Sequence, residues 1–370
     1  MASTTRPTYP DPPEKPQLTA RTSQFSTHEE HVTRPFRFFH PTRATFFPHA
    51  EDPGTGGVAS QWNARASRKN RFTPDPFHIR HHAGDEARSK TVQVEQRLRH
   101  PHSQLKVHLT WDISFWIAVI FVLGSAAWIV NGFILFDPLV NEGGDHTDAA
   151  SWWAFVGGTL FELGSYLMLV EALNTGHDEL FGPALWGLVS STSLDSNGSK
   201  DTLNEKDRVK FRWIGLGSPR DLGYLACSIQ MFAATIFWVS TITGIPGVIP
   251  NLATSPPVAI ADVFYWTPQV IGGCGFIVAS LLLMLEVQKK WWLPNLTSIG
   301  WHVGFWNLVG ALGFAMCGAL GYGSLGSTKV EYQSVLSTFW GSFAFEIGSV
   351  IQLWETLWRE VPEDGTAEKS

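Results

Sequence analysis

Six apolar runs dominate the chain after residue 110, and each is about as long as a bilayer is thick. A hydrocarbon core of about 30 Å is crossed by about 20 helical residues. A soluble domain could bury one such run, but several runs separated by polar loops are typical of a polytopic membrane protein. The predicted spans are residues 113–136, 151–173, 222–244, 261–286, 299–320 and 335–357.

The distribution of lysine and arginine predicts the orientation of these spans. Basic residues concentrate before the first span, in the loops after the second and fourth spans, and directly after the last span. The other three connections contain a single lysine, Lys329. Because short basic segments stay in the cytosol, both termini are expected to be cytosolic. A plasma membrane and an endomembrane fit this pattern equally well.

The spans divide the chain into a polar N-terminal arm and a membrane part. The arm has few aliphatic residues and many Pro, Ser, Thr and His, a composition typical of disordered segments. It is expected to be mostly disordered and to bind a cytosolic protein partner, whereas the membrane part contacts the lipid bilayer. The predicted segments are the arm 1–110, a first hairpin 111–174, a cytosolic loop 175–221, a second hairpin 222–288, a cytosolic loop 289–298, a third hairpin 299–358 and a cytosolic tail 359–370.

A sequence pattern recurs at the second, fourth and sixth spans. The run FELGSYLMLVE at residues 161–171 returns as FEIGSVIQLWE at residues 345–355, and a weaker copy occupies the fourth span. At 100° per residue the shared small residues fall on one helix face, and small residues let helices approach closely in lipid. The predicted helix-packing residues are Gly157, Gly158, Gly164, Ser165, Gly272, Gly273, Ala279, Ser280, Gly341, Ser342, Gly348 and Ser349.

The odd-numbered spans repeat more weakly, so the repeating unit is a two-helix hairpin. Residues 117–131, 230–244 and 307–321 align at equal length. Each copy crosses the membrane in the same direction, which permits a ring or bundle about an axis normal to the membrane. The predicted fold is therefore all-α, a polytopic membrane protein with six transmembrane helices arranged as three parallel-repeated hairpins.

A two-helix unit with a small-residue, Phe and Gly-Ser run resembles the YrhK-type membrane hairpin. Residues 111–358 as a whole resemble fungal multi-pass integral membrane proteins of unknown function that contain such hairpins. The second copy departs from the pattern, with Ala279 in place of glycine and Ile277 where the other copies have Glu162 and Glu346. The resemblance implies an architecture and lends no activity, catalytic residue or cofactor.

Glu171, Glu286 and Glu355 end the three copies on the predicted cytosolic side and would form an acidic ring there. A helix C-terminus disfavours an anion, so these carboxylates are expected to have cationic partners. The candidate partners are Lys289, Lys290, Arg359 and the basic loop at residues 206–212. The leading interpretation is a structural ring of ion pairs, and the alternative is a role in gating or in attracting ions.

Glu162 and Glu346 lie near the centres of their spans, about nine residues or 13 Å of helix rise inside the terminal acids. An acid at the bilayer centre costs about 2.5–3.5 kcal/mol. It is therefore expected either to donate a structural hydrogen bond as a neutral group or to form a site for a proton or cation. A site for a lipid headgroup or a metabolite is a third alternative. The side chains that would complete such a site are Asn131, Gln230 and Asn307.

Enzyme chemistry is not visible in the sequence. The cytosolic segments contain no GxSxG or Walker motif and no clustered metal-ligand set, so no catalytic residue, cofactor, metal site or nucleic-acid partner is predicted. The leading hypothesis is a non-enzymatic scaffold or sensor whose cytosolic arm binds partners. The alternatives are a proton-coupled transporter or small cation channel that uses Glu162 and Glu346, and a membrane enzyme.

Overall fold

The computed structural model describes the arm in part and the membrane part almost completely. The described residues are 25–26, 33–48, 58–69, 75–78, 104–105, 109–141, 146–175, 211–252 and 254–359. The chain forms two compact units. Residues 1–32, 43–62 and 74–93 belong to one unit, and residues 33–42, 63–73 and 94–370 belong to the other.

Short strands account for most of the described structure in the arm. Strands β1 (Phe25–Ser26), β2 (Arg43–Pro48), β3 (Val58–Asn63) and β4 (Asp75–His78) lie in that order in one sheet. In the unit that contains the bundle, β5 (Gln104–Leu105) pairs antiparallel with β6 (Trp358–Arg359). A helix of one turn and a half, α1 (Ala64–Arg68), follows β3 directly.

Within the described ranges, six helices are long and apolar enough to cross a bilayer. They are α2 (Ile113–Val140), α3 (Thr147–Leu173), α4 (Leu222–Thr243), α5 (Val258–Val287), α6 (Ile299–Gly321) and α7 (Thr328–Leu357). Each predicted span corresponds to one of these helices, although the span 222–244 extends one residue past the end of α4. The largest difference between a predicted span and its helix is at the start of α7, because polar residues form the first turns of this helix before the apolar run begins. The prediction of an all-α polytopic membrane protein is confirmed.

The six helices close into a ring in chain order. Each helix packs against the next helix of the chain, and α7 packs against α2. One end of the ring contains the first residues of α2, α4 and α6 and the last residues of α3, α5 and α7. We call this end the arm face. The opposite end carries the turns within the hairpins. Three copies of one hairpin are thereby arranged around a common axis.

Aromatic side chains fill the axis of the ring. The repeat phenylalanines Phe161, Phe276 and Phe345 are buried, and the ring of Phe345 lies 5.3 Å from that of Phe161 and 6.3 Å from that of Phe276. Phe314 of α6 lies 5.2 Å from Phe345 and 4.9 Å from Trp128 of α2, measured between ring centroids. We call this set, together with Phe237, the aromatic core. It packs the centre of the ring with side chains.

The small residues of the repeat lie where the helices touch, and all of the predicted helix-packing residues are buried. A Cβ atom added to Gly273 of α5 would lie 2.7 Å from the Cα atom of Ala315 of α6. At the equivalent position of the first copy, a Cβ atom on Gly158 would lie 2.7 Å from a side-chain atom of Thr241. These helices therefore approach at distances that a larger residue would prevent.

Helix α5 contains one irregular turn, a π-helical segment at Asp262–Trp266. Pro268 follows two residues later, and because proline has no N–H the carbonyl group of Phe264 loses its helical partner. The hydroxyl group of Thr243 donates a hydrogen bond to that carbonyl at 2.7 Å. The backbone is thus satisfied by a neighbouring helix, as a bilayer requires.

Candidate functional site

Two segments of the arm, residues 33–42 and 63–69, pack against the arm face within the same compact unit. The ring of Phe36 stacks on that of Trp291, which follows α5, with centroids 6.3 Å apart. The N–H group of Ala64 donates to the carbonyl of Thr42 at 2.9 Å and so joins the two segments. Much of the predicted disorder falls on residues outside the described ranges, but the sequence did not reveal that these two segments dock.

The second segment inserts two arginines among the repeat carboxylates. Arg65 Nη2 lies 2.9 Å from Glu355 Oε2. Arg68 bridges the other two repeats, with Nη2 2.8 Å from Glu286 Oε2 and Nη1 3.0 Å from Glu171 Oε2. We call Arg65, Arg68, Lys69 and these three glutamates the arm clamp. The arm is therefore tied to all three hairpins at once.

The side chains of the arm clamp are buried, so the charge on each one depends on the charges of its neighbours. The exposed fraction is 4% for Arg68 and 1% for Glu286. Burial alone would lower the pKa of Arg68, but Glu286, Cys227 and Glu171 together raise that pKa well above its usual value. Arg68 therefore stays charged, and its planar group can contact two carboxylates with fixed geometry. Glu171 also accepts a hydrogen bond from the hydroxyl group of Ser114.

These contacts identify a source of cations that the sequence did not indicate. The candidates lay in the loops and tail that follow the carboxylates, whereas Arg65 and Arg68 come from the arm. Residues 206–210 of the candidate basic loop lie outside the described residues. A local pattern in the sequence could have indicated that the arm supplies these cations. Arg65, Arg68 and Lys69 are spaced i, i+3 and i+4 and so share one face of a helix.

A small cavity lies on the ring axis between the arm clamp and the aromatic core. Arg65, Arg68 and Lys69 line it on the arm side, and Phe121, Phe161 and Phe345 line it toward the aromatic core. Its other polar lining residues are Glu171, Gln230, Ser280, Asn307, Ser349 and Gln352. Its volume is about 30 Å³. Since one water needs about 10–15 Å³ of such space, the cavity accommodates two waters or one small ion.

The structure does not bring the five candidate ion-site residues together. Gln230 and Asn307 line the cavity. Asn131 lies toward the hairpin turns, where its Nδ2 donates to the carbonyl of Ala150 at 2.8 Å. Glu162 lies between two hairpins, where its Oε1 accepts from Thr235 Oγ1 at 2.9 Å.

Glu162 and Glu346 are partly buried and do not line the cavity. Each is preceded by a buried phenylalanine of the aromatic core and followed by an exposed residue, Leu163 or Ile347, so both glutamates lie on the flank of their helix. Oε2 of each group is buried and has no hydrogen-bond partner among the described residues. The two acids therefore belong to the periphery of the bundle rather than to its axis.

The described part of the chain offers no group of three His, Cys, Asp or Glu side chains that could hold a metal ion. The three carboxylates of the arm clamp are instead paired with two guanidinium groups, and Lys69, which interacts electrostatically with Glu171 and Glu355, is the third cation beside them. Fold and site together define a polytopic membrane protein in which three hairpins close around a cationic segment of their own chain. No family model matches this chain, and no curated protein or solved structure is significantly similar to it.

Proposed function

We propose that this integral membrane protein is a non-enzymatic scaffold or sensor whose arm binds partners on the cytosolic side of the membrane. The arm clamp is the observation that carries this proposal. Each hairpin contributes one carboxylate to it, so the arm segment has its full set of ion pairs only when all three hairpins are assembled. The position of the arm would thereby report the state of the bundle.

The packing of the ring favours this role over transport. The aromatic core occupies the axis of the helix ring, and an ion moving along this axis would have to displace several buried aromatic side chains. Glu162 and Glu346 are partly buried on the flanks of their helices and do not line the cavity. These contacts support a structural bundle that carries an arm.

The proposal includes the orientation that the basic residues predict, with the arm face toward the cytosol. Arg212, Arg220, Lys289 and Lys290 all lie at that face, next to the ends of α3, α4 and α5, as the positive-inside rule requires. Membership in the YrhK-type hairpin family stays a prediction that rests on the repeat pattern alone.

Partner recovery is expected to depend on the arm unit that does not contain the bundle. We propose a variant that lacks residues 1–32 and in which residues 74–93 are replaced by a Gly-Ser segment of equal length. Both segments belong to that unit, whereas residues 33–42 and 63–69 remain in place. Photo-crosslinking of the chain in lipid nanodiscs to cytosolic extract, with quantitative mass spectrometry, should show loss of the partners that the parent chain recovers.

The matched control lacks residues 361–370 at the opposite terminus and should recover the same partners as the parent chain. The thermal midpoint of the bundle should be unchanged in both variants, since neither removes a clamp residue. Undiminished recovery by the arm variant would contradict the scaffold proposal.

Proteoliposomes test the competing transporter hypothesis. We expect the parent chain and the double variant Glu162→Gln/Glu346→Gln to give the same proton and cation flux as empty liposomes. The control is Glu331→Gln, because Glu331 is exposed at the start of α7. A flux that the parent chain supports and that only the double variant loses would overturn this expectation and establish transport through these acids.

A further inference from the structure

Lys69 is a buried cation that the arm clamp leaves without an ion pair. Its exposed fraction is 3%, and it lines the cavity beside Arg65 and Arg68. Both arginines contact carboxylates, whereas no ion pair among the described residues includes Lys69. A buried ammonium group has three donors to satisfy, so an acceptor is expected on the cavity side.

The nearby carboxylates already have donors. Arg65 contacts both oxygens of Glu355 and Arg68 contacts both oxygens of Glu286. The oxygens of Glu171 accept from Arg68 and from a serine of α2. The strongest acceptors around the cavity are therefore engaged on the arm side.

The cavity wall adds further donors. Ser280 and Gln352 are 2% and 5% exposed, and Asn307 presents a third polar side chain. No side-chain hydrogen bond joins any of the three to another described residue. The hydroxyl and amide N–H groups of this wall face the same small space as the ammonium of Lys69. The cavity thus combines the ammonium of Lys69 and several neutral donors with Arg65, Arg68 and Glu171, whose charged groups are already engaged in the arm clamp.

We propose that this cavity is a binding site for one small inorganic anion of halide size. Its volume of about 30 Å³ is that of about two waters and accommodates one such ion. Lys69 would supply the charge, and the side chains of Ser280, Asn307 and Gln352 would supply hydrogen bonds. The aromatic rings beneath exclude water from the other side. The site is independent of partner binding by the arm.

Protonation of Lys69 is linked to this anion. Burial lowers the pKa of Lys69, Glu171 and Glu355 oppose that effect, and Arg65 and Arg68 add to it. An anion in the cavity would raise this pKa, because it stabilises the protonated form. By linkage the anion binds more tightly at a pH below the pKa of Lys69 than above it.

Thermal unfolding in lipid nanodiscs tests the site. At constant ionic strength, chloride and bromide are expected to raise the midpoint by a few degrees over gluconate, since a ligand of the folded state stabilises it. The shift should shrink as the pH rises. Lys69→Gln should abolish it, while Lys290→Gln, which removes the charge of an exposed lysine, should preserve it.

Asn307→Ala keeps the experiment decisive if Lys69→Gln does not fold, because it changes the wall from within α6. This variant should raise the halide concentration that gives half of the midpoint shift by at least tenfold. A crystal soaked in bromide should show one anomalous peak beside Lys69. The proposal is overturned if the parent midpoint does not distinguish halides from gluconate, or if Lys69→Gln and Asn307→Ala respond as the parent does.

Discussion

Replacing Arg68 with alanine is expected to lower the free energy of unfolding of the bundle by about 3–5 kcal/mol, because removing one partner of a buried ion pair strands the other charges. Arg68 contacts Glu286 at 2.8 Å and Glu171 at 3.0 Å, and all three side chains are nearly inaccessible. The substitution leaves two carboxylates close together without their cation. Thermal or denaturant unfolding in detergent or nanodiscs measures the loss.

Two further variants show whether charge is the cause. Arg220→Ala removes an exposed arginine whose only described ring contact is with Phe38, at 5.8 Å, and should change stability little. The triple variant Arg68→Met/Glu171→Gln/Glu286→Gln removes the stranded charges as well and should recover much of the loss. If Arg68→Ala unfolds like the parent chain, the arm clamp does not hold the bundle together.

Replacing Gly273 with valine is expected to destabilise the ring by about 3 kcal/mol or more, above the usual range for overpacking. A Cβ atom at this position would lie 2.7 Å from the Cα atom and 2.8 Å from the backbone nitrogen of Ala315. Backbone cannot rotate away as a side chain can, so α5 and α6 would have to separate. The same unfolding measurements, together with cysteine crosslinking across the two helices, report this separation.

The glycines of the chain provide graded controls. Gly158→Ala should have a smaller effect, because the atoms that a Cβ would meet belong to the side chain of Thr241. Gly326→Ala should have none, since a Cβ there would meet no atom within 4 Å. Equal effects of the three substitutions would refute close backbone contact as the reason for the glycine at position 273.

The three repeats are not equivalent at the arm clamp. Three hairpins supply three similar carboxylates, but a single arm segment approaches them, and its cations cannot obey threefold symmetry. Arg68 serves two carboxylates and Arg65 serves one. The cavity shows the same asymmetry, because Gln230 and Asn307 line it whereas the aligned residue of the first copy is Ile117.

The sequence alone determined the parts of this protein that depend on local pattern. The length of each apolar run is set by the thickness of the bilayer, and the helical period places Gly157, Gly164 and Ser165 on one face, which is buried in the structure. The recurrence of this pattern was sufficient to predict three parallel hairpins. These properties depend only on residues that lie within a few helical turns of one another.

The tertiary structure decided which residues meet. Arg65 and Glu355 are separated by 290 residues, and nothing in the local sequence of either one encodes the other. Glu162 and Glu171 belong to the same helix, yet one lies between two hairpins beside Thr235 and the other in the arm clamp. Their different surroundings arise only when the helices close into a ring, because ring closure fixes which flank of each helix faces the axis and which faces lipid.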